Sequence, residues 1–437
     1  MTESPAQPEI REGNEDETQH LPPADTGPGA WKFLFGSFVI EGILWGELTH
    51  SGSVSLMLTQ ALGFLLTFGV FQDYYSQQPE FKDSTDIPLI GAVASSIIFL
   101  SAPLVTPLVR KFQRWQRHLI FIGAAACPLS LLGASFASSI PALIATQGVM
   151  YGLGFTILYY PVLRMLDEWF LRRRGLAYGL LYAGGGLTGA SLPFLLQVLL
   201  SKFGYRTTLR AIAVVQTILV AAILPLIKGR LPTSNTSALR AVDWSFLKQP
   251  LFWCFALSNL SQGLGYYIPS LFLPTFASDL GFSGIIGALI LAANNLATVL
   301  GQVSFGYLCD RVNNVLLLVF LSSSISSIAA FAIWGLARSL GSLLAFALVY
   351  GWCAGAFPVF WQKFGSTLSH DPQPILSLMA FGKGVGSIVA APIAAGLTTG
   401  PIGSGYGLGR FQGIILFVGV SMFSSSLGIF GWSLKRR

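Results

Sequence analysis

Charge is scarce in this chain. Only 10% of its 437 residues are charged, against roughly a quarter in soluble domains, so water is not the main solvent of its surface. Histidine and cysteine are few and scattered. His20, His50, His118 and His370 form no cluster, and Cys127, Cys254, Cys309 and Cys353 stand singly in apolar segments without CxxC or Cys/His spacing. The spacing therefore predicts no metal site and no disulfide, and it leaves the cysteines as small packing residues. No Walker sequence and no nucleophile–base pair appears, which argues against a primary pump and against an enzyme. No cofactor is expected. Gly184, Gly186 and Gly189 match GxGxxG in letters, but no strand precedes them, which removes the dinucleotide reading.

What is abundant is apolar sequence: 53% of residues are hydrophobic and the mean hydropathy is +0.64. A membrane span needs about 20 mostly apolar residues. Such runs begin near Trp31, Ile87, His118, Ile140, Arg174 and Tyr205, and again near Pro250, Ser283, Asn313, Ser339, Pro372 and Arg410. The expected architecture is an all-α membrane protein of twelve transmembrane helices in two six-helix halves, residues 31–228 and 250–437, joined by a polar linker at 229–249. Residues 1–30 hold seven acidic residues, one arginine and no apolar run, and they read as a disordered tail rather than a signal peptide.

Basic residues set the orientation, because short cytoplasmic loops retain Lys and Arg. With both termini cytoplasmic, nineteen basic residues fall on that side and six on the other, while Lys383 lies within a span. The net charge of +7 sits in loop clusters, so it reflects topology and not nucleic-acid binding. The sequon Asn235-Thr236-Ser237 then lies in the cytoplasmic linker and is expected to be unmodified. The first apolar run is too long: Trp31 to Tyr74 carries a polar patch at its centre. Removing residues 47–63 joins ILWG to FLLTFGVF as one helix. Those residues read as an insertion, and their back-translation accommodates an unspliced intron kept in frame.

Several stretches carry a more specific signal. Trp169 to Gly189, WFLRRRGLAYGLLYAGGGLTG, runs an arginine cluster (Arg172, Arg173, Arg174) into a glycine-rich helix whose Gly175, Gly179, Gly185 and Gly189 let helices approach closely. FGVFQDYY (Phe68–Tyr75), GYRTTLR (Gly204–Arg210), DWSFLKQPLFW (Asp243–Trp253) and GYLCDR (Gly306–Arg311) accompany it. Together these resemble the monocarboxylate porter-like family of the major facilitator superfamily, in its fungal form. The resemblance implies a secondary transporter whose Asp310 and Arg311 help latch the two halves on the cytoplasmic side. The plainer alternative is an interfacial charge pair of little energy. The matching loop of the first half, RKFQRWQR (Arg110–Arg117), has the bases and no acid, so any latch is expected to be asymmetric. Animal carriers of the family use an Asp and an Arg within the eighth span, whereas Leu291–Leu308 here has no charged residue. Lactate or pyruvate therefore does not follow as substrate.

Ionisable residues at mid-membrane depth are functional candidates by default. Ten residues at about 1.5 Å each put Glu41 roughly 15 Å past Trp31, near the midplane, and Lys383 has similar depth in the eleventh span. Each could instead be structural. Asn259, Gln262 and Tyr266 share one face of the seventh span, and Asn294 and Asn295 stand near mid-depth in the eighth. They either line a substrate path or join helices by hydrogen bonds. The chain is expected to move a small organic solute, a carboxylate or related metabolite, by alternating access, with protons as a candidate coupling ion. Export of a fungal secondary metabolite is one alternative. A membrane sensor of the same fold that transports nothing is another. The protein is expected to act as a monomer in the plasma membrane, with Glu41 and the Asn259/Gln262/Tyr266 face meeting at a central cavity.

Overall fold

The computed structural model describes residues 22–45, 71, 74–75, 77–81, 86–189, 192–231, 244–369, 371–398 and 405–431. The 47–63 insertion and the Asn235 sequon lie outside these. The helices are α1 (Pro28–Trp45), α2 (Ile87–Leu100 and, past a bend, Ala102–Lys111), α3 (Gln116–Ala134), α4 (Ile140–Trp169), α5 (Arg174–Gly189) and α6 (Leu192–Ile223). The second set is α7 (Pro250–Tyr266 and Ile268–Asp279), α8 (Gly284–Arg311), α9 (Val315–Trp334), α10 (Leu340–Leu368), α11 (Gln373–Leu397) and α12 (Gln412–Phe430). The polar stretch expected to be disordered through residue 30 is ordered from residue 22, and α1 already begins at Pro28.

Local chemistry explains the boundaries. Pro88, Pro141 and Pro250 sit in first turns, where a missing N–H costs nothing. Asn314 caps α9 by accepting from Leu316 N at 3.1 Å, and Ser339 and Ser342 form a capping box on α10. Gly204, at φ +73°, breaks the helical path inside α6, so that the stretch before it completes the fifth crossing and the stretch after it makes the sixth. Breaks in α7 and α10 fall just ahead of Pro269 and Pro358. Leu104, Phe136, Ile218, Leu271, Ile285 and Ile328 are exposed on outer faces, as a bilayer solvent demands.

Helix pairings repeat. α1 packs on α5 as α7 packs on α11, α2 on α4 as α8 on α10, and α3 on α6 as α9 on α12. Between the halves, α5 lies on α8 and α11 on α2. This is the two-half arrangement related by a pseudo-twofold axis. Glycines set the closest approaches. A Cβ at Gly175 would stand 2.6 Å from the Gly306 carbonyl and 2.8 Å from Asp310 Oδ1, and one at Gly179 would strike the Gln302 carbonyl. Both are backbone or capping contacts that cannot yield, so this seam admits glycine alone. In the second half serines tie the outer helices: Ser258 on α7 donates to the Ser425 carbonyl of α12 at 2.5 Å, and Ser327 on α9 donates to Gly419 O at 2.8 Å.

Gly179→Leu should therefore lower the stability of the detergent-purified protein by about 1–3 kcal/mol, the usual cost of overpacking. It is read as a lower thermal unfolding midpoint. Gly284→Ala, where an added Cβ meets open space, should leave the midpoint in place.

Candidate functional site

In the first half the polar centre is Glu41. Its α1 lies close to α5 because Gly184 leaves room for the Phe38 carbonyl. Glu41 is 3% exposed, and Tyr159 of α4 donates to its Oε1 at 3.2 Å. Its Oε2 has no hydrogen-bond partner among the described residues, and neither has the buried Ser37 hydroxyl one turn earlier. A carboxyl with one oxygen unsatisfied at this depth is costly as a structural element.

The second half buries a basic side chain on α11, the counterpart of α5 rather than of α1. Lys383 of α11 is 2% exposed; its Nζ donates to Gln262 Oε1 at 3.2 Å and lies 4.0 Å above the Tyr266 ring and 5.8 Å from that of Tyr267. Amide oxygen and π faces both attract an ammonium, but neither cancels its charge. Gly263 and Gly386 bring α7 and α11 together, with added Cβ atoms meeting Lys383 O at 2.9 Å and Leu260 O at 2.8 Å. The Asn259/Gln262/Tyr266 face thus turns onto α10 and α11. Gln262 Nε2 donates to Ala354 O at 3.0 Å, Asn259 Nδ2 to Met379 O at 2.7 Å, and Trp361 Nε1 to Asn259 Oδ1 at 2.8 Å.

The structure brings Gln262, Tyr266 and Lys383 together and gives Glu41 a separate partner. The ion pairs among the described residues are Arg110–Asp371, Arg174–Asp167, Arg206–Glu80 and Arg410–Asp279, and none joins Glu41 to Lys383. On α8, Asn294 is buried with its Oδ1 unpartnered among the described residues, while Asn295 is half-buried.

A third group lies at the end of the bundle rich in arginine. Asp310, at the end of α8, accepts from Gly175 N at 2.8 Å and Leu176 N at 2.9 Å on α5, across the two halves. The first N–H groups of a helix lack intrahelical partners and carry the positive end of its dipole, so a carboxylate fits there. Asp25, from the polar segment ahead of α1, takes the N–H groups of Leu171, Arg172 and Arg173 at 2.9–3.2 Å. Arg172 and Arg173 therefore serve through their backbone while their side chains stay exposed. Arg174 Nε donates to Phe170 O at 2.9 Å. Arg311 stands over the Tyr307 ring at 5.2 Å. On the other seam Arg110 of α2 bonds Asp371, just before α11, and Gln373 of α11 bonds Asp167 of α4. Gly185 is buried, and Gly189 is the last residue of α5.

Tyr159, Asp25, Asp167 and the Arg110–Asp371 pair were not singled out by sequence reasoning. Tyr159 sits in an apolar run as one of two tyrosines before a proline, and the only signal for it was a hydroxyl at Glu41's depth. Asp25 was hidden in an acidic tail.

Comparison with known proteins agrees with the fold. A family model described as Major Facilitator Superfamily matches residues 116–391, more than half of the chain. Human Monocarboxylate transporter 11 is 27% identical over 93% of this chain and 76% of its own. The Aspyridones efflux protein apdF of Emericella nidulans is 24% identical over 97% of this chain and 82% of its own. The solved structure of FucP, a major facilitator transporter in the outward conformation, superposes with a TM-score of 0.66 at 11% identity, covering 91% of this chain and 97% of that one. With its helices in two similarly packed halves, the chain belongs to the major facilitator superfamily.

Proposed function

We propose that the chain is a secondary transporter in which residues 31–228 and 250–437 rock about a midplane site, with Glu41 as the proton-exchanging group and Lys383 as the group that receives an anionic part of the solute. One observation carries this reading: among the described residues Glu41 in the first half and Lys383 in the second are buried within spans, and no ion pair joins them. A structural carboxylate and ammonium would pair. These two are held apart, Glu41 on Tyr159 and Lys383 on Gln262. An anionic solute group reaching Lys383 supplies the missing counter-charge, and a proton on Glu41 supplies it in the other half. The arginine-rich end is the cytoplasmic end in this reading, and Asp310 on α5 is the latch that closes it. The family likeness to an efflux protein favours export of a secondary metabolite as the second reading.

The substrate is found by comparing metabolites of cells and medium with and without the protein, followed by flux of the identified solute into reconstituted vesicles. Glu41→Gln keeps shape and removes titration. It should abolish accumulation driven by a pH gradient while solute exchange survives in part. Uphill accumulation with the parent's pH dependence would make Glu41 structural. Lys383→Ala should weaken anionic solutes about tenfold or more, the scale of one hydrogen bond to a charged group, and leave neutral ones nearly unchanged. Equal loss for both kinds of solute would give Lys383 a packing role only.

A further inference from the structure

We propose that the turn joining α2 to α3 is a docking surface for anionic phospholipid headgroups in the leaflet at the arginine-rich end. The surface is independent of the roles given to Glu41 and Lys383.

The turn is dense in base and carries no acid. Lys111, Arg114 and Arg117 follow one another at intervals of three, His118 comes next, and no Asp or Glu occurs between Asp86 and Asp167. Arg110, the base ahead of them, is spent on Asp371. The other three take part in none of the ion pairs among the described residues, and they and His118 are exposed. The pseudo-symmetric turn from α8 to α9 is built differently. It begins with Asp310, and Arg311 beside it lies over the Tyr307 ring.

Aromatic side chains place the patch at the membrane surface. Phe112 and Trp115 stand at the two ends of the 3-10 turn Gln113–Trp115, where residues three apart fall on one side, and both are exposed. Lys111 Nζ lies 5.6 Å from the Phe112 ring, the Arg117 guanidinium 5.9 Å from the Phe121 ring, and the Trp115 and His118 rings 5.3 Å apart. Leu104 and Leu108 of α2 and Phe121 and Ile122 of α3 are exposed within the flanking spans. Apolar side chains thus give way to exposed rings and then to bases at the ends of the two helices, the order of hydrocarbon, interface and headgroup. A leaflet with negative headgroups presents phosphodiesters at that level. A nucleic acid backbone or a run of acidic side chains would answer the bases and leave Phe112 and Trp115 in water. The surface is also firmly held: Gln116 is buried, and its Nε2 donates to Val109 O at 3.3 Å, tying the start of α3 to the end of α2. Headgroups on the turn therefore sit next to Arg110, whose bond to Asp371 crosses between the halves.

The full chain, purified in a neutral detergent, is titrated with phosphatidylglycerol or phosphatidylcholine, and the lipids retained on each chain are counted by native mass spectrometry. The parent should retain phosphatidylglycerol in preference. Lys111→Gln/Arg114→Gln/Arg117→Gln should lower phosphatidylglycerol affinity about a hundredfold, roughly fivefold for each base near an anionic surface, and leave phosphatidylcholine as in the parent. Arg172→Gln/Arg173→Gln/Lys228→Gln removes the same charge from exposed positions at the same end and should cost less than about fivefold. Phe112→Ser/Trp115→Ser should weaken both lipids. Where the first triple variant unfolds at a lower temperature than the parent, Arg114→Gln alone carries the test, with a loss of about fivefold. Equal losses in the two triple variants, or parental affinity in the first, would overturn the surface. So would a several-fold gain in phosphatidylglycerol affinity on replacing Glu9, Glu12, Glu15, Asp16 and Glu17 by Gln, which would make the amino-terminal segment the occupant.

Discussion

Five backbone N–H groups at and just before the start of α5 are answered by two carboxylates from elsewhere in the chain, which join distant segments at the arginine-rich end. Asp25 takes those of Leu171, Arg172 and Arg173, and Asp310 takes those of Gly175 and Leu176. The first carboxylate comes from the segment ahead of α1 and the second from the opposite half. The helix start favours both, because its orphan donors and positive dipole end attract carboxylates. Glycine at 175 and 179 is the condition for it, since any side chain there would push α8 off the donors. The pseudo-symmetric place at α11 is built with opposite polarity: the base is Arg110 on α2 and the acid is Asp371 before α11. One seam is thus closed by a carboxylate on a helix dipole, the other by an ion pair.

With the halves joined at that end, the midplane polar residues are bonded almost wholly inside their own halves. Asn259 and Gln262 spend their amides on carbonyls of α11 and α10, which fixes α7 in place and points Gln262 Oε1 at Lys383. Among the described residues no hydrogen bond or ion pair joins this face or Lys383 to Glu41. Glu41 faces Tyr159, and the two ionisable groups remain unpaired with each other. Keeping opposite charges apart in a low-dielectric interior is unfavourable for a static structure. It suits a site that a solute or proton completes.

Much of the fold could be read from the sequence because spans announce themselves by length and hydropathy. The runs expected near Ile87, Ile140, Arg174 and Pro250 start as helices at those residues. That Glu41 and Lys383 lie inside helices was legible for the same reason, and both are buried. Partners were not. Nothing in one dimension says that Asp310 faces Gly175, 135 residues away, or that Asp167 meets Gln373. Asp25 shows the opposite error. Its acidic, proline-rich surroundings argue for disorder, and one tertiary contact with a helix start outweighs them.

The central claim is that Asp310 on the start of α5 keeps the halves closed at the arginine-rich end. Lys111 and Asn313 are exposed at that end, one in each half, and accept spin labels without touching the latch. Double electron–electron resonance between labels at these two positions should give one narrow, short separation in the parent, and Asp310→Asn should shift a large part of the population to longer separations. An unchanged distribution in Asp310→Asn would contradict the account and leave the glycine seam alone to hold the halves together.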